Sequence, residues 1–297
     1  MKEKIMEVIT FATIKGGIGK TTLSYNYGEY LASKGHKVLL MDLDQQSSLS
    51  RTYGITDQEG TVEEIFNVYN DDEDRKEVKI HHVNKNVDLI SGTTRLDKVQ
   101  SRLETHNNKN LILFMWLHQH YDDIVANYDY MIIDCHPDIG IATKNAIAVS
   151  DAVLSPVTPS KFSYDSITEL ETRMKELKKE TVDVMSGNTL IRAKVYYIAN
   201  MIKHNTGISK DFLKSIKEDK EVEWIAEIPE REIFNRSTYY QIPICEMEQI
   251  ANTPLSEIPD DYKNNKDFMK MRNYFASQNP KNYKQIDDIF DTITKYV

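Results

Sequence analysis

Apolar positions in this chain gather into short continuous runs separated by longer stretches of mixed character. Val8 to Ala12 is one such run; a glycine turn follows, a helical pattern spans Lys20 to Ser33, and Lys37 to Met41 is a second run. The rhythm returns at Tyr130 to Ile133, Ala152 to Val157, Lys194 to Ala199 and Val222 to Ile228, with helical segments that include Tyr164 to Glu180 and Ser209 to Glu218 between them. Buried runs alternating with helices are the sign of βαβ units, whose right-handed crossovers build a parallel sheet. The expected fold is α/β, a doubly wound and mostly parallel sheet.

Two polar stretches punctuate this pattern. Residues 67–79 carry mixed charge and little apolar content, which predicts a solvated loop or a poorly ordered helix end. Pro254 to Asn265 separates the main pattern from a C-terminal segment in which Ile286, Ile289, Phe290, Ile293 and Val297 share one helical face. The chain is therefore expected to form a single domain over 1–297, with 255–297 a helical extension packed on it. The polar face of that last helix, with Lys284, Asp287, Asp288, Asp291 and Lys295, is too acidic for a helix that binds anionic lipid.

Composition narrows the partners. With 37 basic and 46 acidic residues the formal charge is -9, so bulk charge does not draw the chain to nucleic acid and any DNA contact needs a local basic patch. The two cysteines, Cys135 and Cys245, lie far apart, and the start MKEKIMEVIT carries no leader-like apolar stretch. The densest apolar run, Leu111 to Leu117, is far short of the roughly 20 residues needed to cross a bilayer. A reducing cytoplasm is the expected setting. His81-His82 and the pair His118 and His120 lack a converging acid or cysteine, so no metal is assigned to them.

The chemistry concentrates after the first strand, at Ile14-Lys15-Gly16-Gly17-Ile18-Gly19-Lys20-Thr21-Thr22. A glycine turn between a strand and a helix directs free backbone N–H groups at an anion, and Lys20 reaches the terminal phosphates of a bound nucleotide from the first helical turn. Thr21 offers a hydroxyl to Mg²⁺. Such a loop needs acids at neighbouring strand ends, and two runs supply them: the second strand leads into Asp42 and Asp44, which share a side in extended chain, and a later strand ends at Asp134.

The form K-G-G-x-G-K-T-T resembles the deviant Walker A motif of the ParA/MinD/nitrogenase iron protein superfamily, and the chain is similar to its short ParA members without an N-terminal helix-turn-helix. The resemblance spans roughly Val8 to Met247. It implies a P-loop NTPase fold, ATP and Mg²⁺ as cofactors, and a homodimer closed around ATP in which Lys15 reaches the partner's nucleotide. By the same resemblance the catalytic residues are Lys15, Lys20 and Asp44, with Asp44 polarising the attacking water. Nucleotide contacts fall on Lys15, Gly16, Gly17, Ile18, Gly19, Lys20, Thr21 and Thr22, with Asn200 and Pro229 on the adenine side, and metal contacts on Thr21, Asp42 and Asp134.

The departures are specific. Where the family writes D-L-D-P-Q-G-N, this chain has Gln45 for the proline and Ser47 and Ser48 for the glycine and asparagine, and His136 interrupts D-x-P-P; its first reading is a turn-filling residue, the alternative being a charge near the γ-phosphate that tunes hydrolysis. The functional expectation is a slow, partner-stimulated ATPase that partitions plasmid or chromosomal DNA. It binds DNA non-specifically in its ATP state, at the nucleoid, and answers to a ParB-like protein, with no membrane involved. Candidate DNA contacts are Lys203, Lys210, Lys214, Lys217, Arg231 and Arg236. A MinD-like positioning ATPase and a non-hydrolysing, ATP-bound scaffold are the alternatives.

Overall fold

A computed structural model describes residues 6–67, 76–160, 163–183 and 185–297. The centre of the polar stretch expected at 67–79 lies outside these residues. The strands are β1 (Glu7–Phe11), β2 (Val38–Leu43), β3 (Ile80–Asn84), β4 (Val87–Ile90), β5 (Tyr130–Cys135), β6 (Ala152–Val157), β7 (Lys194–Ile202) and β8 (Trp224–Pro229). They form one sheet in the order β3-β4-β2-β5-β1-β6-β7-β8, parallel throughout except for the β3–β4 pair.

Helices connect and cover them. In chain order they are α1 (Lys20–Ser33), α2 (Ser48–Thr52), α3 (Glu63–Phe66), α4 (Leu96–Leu103), α5 (Ile112–Gln119), α6 (Ile141–Val149), α7 (Ser163–Glu180) and α8 (Gly207–Glu218). After β8 come α9 (Glu232–Tyr240), α10 (Ile244–Asn252), α11 (Asp260–Lys263), α12 (Lys266–Ser277) and α13 (Pro280–Thr294).

Burial explains the continuous apolar runs. Every residue of β2 and of β6 is buried, as strands covered on both faces must be. Successive side chains divide between the faces: Leu40 joins the core under α1, while Leu39, Met41 and Leu43 join the core under α3 to α6. A third cluster, with Val153, Ala199 and Ile202, sits beneath α7 and α8.

The C-terminal helices complete the first of these cores. Tyr283, Ile286, Phe290 and Ile293 of α13 are buried, Ile289 and Val297 partly so. Phe290 packs on Tyr27 and Tyr30 of α1 with ring centroids 5.6 and 5.3 Å apart, and the Tyr30 hydroxyl donates to Asp291. Lys34 meets Asp287 at 3.4 Å. The apolar stripe of α13 is thus core, and among the described residues no helix is long and apolar enough to cross a membrane.

Candidate nucleotide-binding site

The loop between β1 and α1 owes its shape to two glycines in the left-handed region, Gly17 at φ 72° and Gly19 at φ 88°. Gly19 caps α1 with no side-chain hydrogen bond, so the first-turn amides of this 14-residue helix are left to an incoming anion. A Cβ on Gly19 would come within 2.8 Å of Asn200 Nδ2. Lys20 is buried at the head of the helix, whereas the half-buried Lys15 donates to Ser160 Oγ at 2.9 Å.

The parallel register of β2 and β5 sets Asp42 directly opposite Asp134. Their environments differ sharply. Asp42 Oδ1 accepts the Asp44 N–H at 3.1 Å, and its Oδ2 accepts both the N–H and the hydroxyl of Ser50 at 2.8 and 2.7 Å. Burial pushes its carboxyl up to about 6 even so. Asp134 is fully buried and neither of its oxygens has a hydrogen-bond partner. Burial, with Asp42 adding to it, pushes that carboxyl up to about 7, against the opposing pull of the nearby Thr21 hydroxyl and Lys20 ammonium.

An orphaned, buried carboxylate beside a threonine hydroxyl at the mouth of a phosphate loop fits a hydrated divalent cation. Of the metal ligands expected from sequence, Asp134 and Thr21 are brought together. Asp42 is already engaged by the α2 turn through Ser50, a partner the motif does not reveal.

Asp44 lies at the end of the same strand, and its Oδ1 accepts the Gln46 N–H at 2.8 Å. His136 Nδ1 stands 3.6 Å from that oxygen. Ser47, in place of a glycine in the related motif, takes a positive φ of 49° at the head of α2.

On the other flank Asn200 Nδ2 donates to the Ile18 carbonyl at 2.7 Å, tying the end of β7 to the loop. Asn200 and Pro229 line one cleft together with Gly19, Thr22, Met201 and Phe234, the last two not anticipated from sequence. Arg231 also lines this cleft and donates to Gln285 of α13 at 2.6 Å, and Arg236 pairs with Glu232 and stacks on Tyr274. Lys203 meets Glu230 at 3.0 Å. Of the expected DNA contacts, Lys210, Lys214 and Lys217 alone form a common exposed face, on α8 opposite Phe212 and Ile216.

Residues 6–187 match the AAA_31 family, an AAA domain. The sporulation initiation inhibitor protein Soj of Bacillus subtilis is 31% identical over 187 residues, covering 62% of this chain and 72% of Soj. The chromosome partitioning protein ParA of Myxococcus xanthus is 29% identical over 55% of this chain, which spans little more than half, 56%, of that protein. A candidate plasmid partition protein of Borrelia burgdorferi B31, solved with AMPPNP bound, superposes with a TM-score of 0.65 at 25% identity over 91% of this chain and 97% of its own. The phosphate loop, the facing carboxylates and these likenesses together establish that the chain belongs to the ParA family of P-loop ATPases.

Proposed function

We propose that this protein is an ATP-switched DNA-partitioning ATPase: it closes into a homodimer on ATP and Mg²⁺, holds DNA non-specifically in that state, and is released when a ParB-like partner stimulates hydrolysis. The cytoplasm, on nucleoid DNA, is its place of work. The observation that carries this reading is the division of labour between the two lysines. Lys20 is enclosed at its own phosphate loop, while Lys15 is engaged by Ser160. A lone chain therefore keeps Lys20 at its loop and holds Lys15 on Ser160, which fits a scheme in which a second subunit has to recruit Lys15 before catalysis.

Each residue has a task in that scheme. The amides of Gly16 to Thr22 and the Lys20 ammonium bind the phosphates, and Asn200 and Pro229 border the base. Asp44 orients the attacking water, and Lys15 of each subunit neutralises charge on the other's γ-phosphate. Thr21 and Asp134, with Asp42 behind them, would hold Mg²⁺, which would supply charge neutralisation at the terminal phosphates. The exposed lysines of α8 offer phosphate contacts to DNA, a modest patch that a dimer doubles.

Mass measurement and DNA binding with ADP, with ATP, and with ATP plus Asp44→Ala test the reading. The variant with ATP is expected as a stable dimer on DNA of arbitrary sequence, and Lys20→Ala neither binds nucleotide nor dimerises. DNA affinity that ignores the nucleotide would count decisively against it.

A further inference from the structure

The chain departs from the related motifs at His136, and the site gives that residue a role. β5 delivers Asp134 to the carboxyl edge of the sheet, and the next residues cross the end of β2, where the His136 N–H donates to the Leu43 carbonyl at 3.3 Å. That bond sets the imidazole beside Asp44, the neighbour of Leu43. Pro137 follows and closes the segment against the phosphate loop, 3.6 Å from where a Cβ on Gly16 would stand.

His136 Nδ1 is buried and has no hydrogen-bond partner. It faces Asp44 Oδ1 at 3.6 Å, and both side chains are largely enclosed, 27% and 11% exposed. A buried ring nitrogen without a partner is unfavourable, and a closure of roughly 0.7 Å converts this gap into an ordinary hydrogen bond. Asp44 Oδ1 already accepts the Gln46 N–H. A hydrogen bond from His136 would thus join that of Gln46 on one carboxylate oxygen and leave Oδ2 free of both.

The geometry points to His136 as the positioning residue for hydrolysis. Through Nδ1–H it donates to Asp44 Oδ1, and with the Gln46 N–H it pins the carboxylate so that Oδ2 orients the attacking water. The inference rests on the role proposed for Asp44 above. Misplacement of a catalytic group by about 1 Å costs up to roughly a hundredfold in rate. Gln46 still holds Asp44 when the imidazole is removed, so the expected loss is about tenfold.

Single-turnover and steady-state hydrolysis by the full chain, with Mg²⁺ and DNA, tests this in the wild type, Asp44→Ala, His136→Ala and His136→Asn. His136→Ala is expected to lower kcat about tenfold with KM for ATP unchanged. His136→Asn, whose Nδ2 lies near the position of the imidazole Nδ1, should recover most of that loss. An unaltered kcat in His136→Ala, or His136→Asn as slow as His136→Ala, overturns the inference while an inactive Asp44→Ala leaves the Asp44 reading standing. A wild type without turnover, or Asp44→Ala as fast as wild type, overturns both.

Discussion

The Lys15 ammonium is held by the Ser160 hydroxyl, which is itself 3.0 Å from Ser163 Oγ at the head of α7. This contact spans 145 residues and joins the start of the phosphate loop to the turn after β6. A lysine that must cross to a partner has first to leave this anchor. Loss of one partly exposed charge-assisted hydrogen bond is worth about 1 kcal/mol, or roughly fivefold in an equilibrium. Ser160→Ala in an Asp44→Ala background is therefore expected to tighten ATP-dependent dimerisation about fivefold in sedimentation measurements. Weaker dimerisation would assign Ser160 to the dimer contact itself.

Gly17 and Gly19 both have positive φ, yet their surroundings separate them. A Cβ on Gly17 meets nothing within 4 Å, whereas on Gly19 it would press on Asn200 Nδ2 at 2.8 Å and Met201 Cε at 3.3 Å. Gly17→Ala bears only the left-handed strain of roughly 1 kcal/mol. Gly19→Ala bears the same strain and displaces the Asn200–Ile18 bond, for about 3 kcal/mol in all. Urea unfolding without nucleotide should rank the two in that order; equal losses would show that the Asn200 contact contributes nothing.

Asp134 faces Asp42 across β2 and β5 with both oxygens unpaired. Two buried acids side by side destabilise the nucleotide-free fold, and the neutral amide of Asp134→Asn has an N–H to give to Asp42. The substitution is expected to raise the melting temperature of the nucleotide-free protein by about 3 °C, the equivalent of roughly 1 kcal/mol. It should also abolish the further rise that Mg²⁺ and ATP produce in the wild type. A nucleotide-free protein less stable than wild type would mean that Asp134 has a structural partner after all.

Glu29 sits in α1, buried, accepting from the Tyr53 hydroxyl at 2.7 Å and from Asn84 Nδ2 at 2.9 Å. Burial pushes its carboxyl from the ordinary 4.5 up to about 7, the two hydrogen bonds opposing the rise. The folded chain thus binds a proton that the unfolded chain has already released between those values. Its contribution to stability is complete below about pH 4.5 and is lost as pH rises to 7, by about 3 kcal/mol. Glu29→Gln removes this slope and should be the more stable protein at pH 8 by roughly 2 kcal/mol, one charge-assisted bond having been given up. A wild-type unfolding midpoint that does not fall between pH 5 and 7 beyond that of the variant would refute the assignment.

What the sequence reveals and conceals follows from the range of the interactions. β1, β2 and β5 to β7 were legible because burial of their central residues on both faces writes itself as apolar runs, whereas β8 is an edge strand with Glu227 exposed. The β3–β4 hairpin was not, since Ile80–Asn84 is an edge strand carrying two histidines and partly exposed throughout. The phosphate loop was legible because Lys20 and its glycines are local. That Ser50 satisfies Asp42, that Ser160 holds Lys15 and that Arg231 answers to Gln285 of α13 depends on segments meeting in space, which no spacing encodes. The basic residues show the same limit: charge alone could not tell the exposed lysines of α8 from Arg236, which pairs with Glu232 and stacks on Tyr274.

The C-terminal helices offer the last test. Residues 255–297 were expected to form an extension packed on the domain, and Phe290 is buried between Tyr27 and Tyr30 of the helix that begins at the phosphate loop. Removing a fully buried phenyl ring from such a cluster costs about 3–4 kcal/mol, and removing the partly buried Ile289 side chain roughly 1 kcal/mol. If α13 is integral to the core, Phe290→Ala lowers the stability of the whole chain in a single unfolding transition and Ile289→Ala barely alters it. The Phe290 variant should lose nucleotide affinity only where it begins to unfold, since α1 carries Lys20 and Thr21 at its other end. Two separate transitions in calorimetry, with the nucleotide-stabilised one untouched by Phe290→Ala, would instead make the C-terminal helices an independent unit.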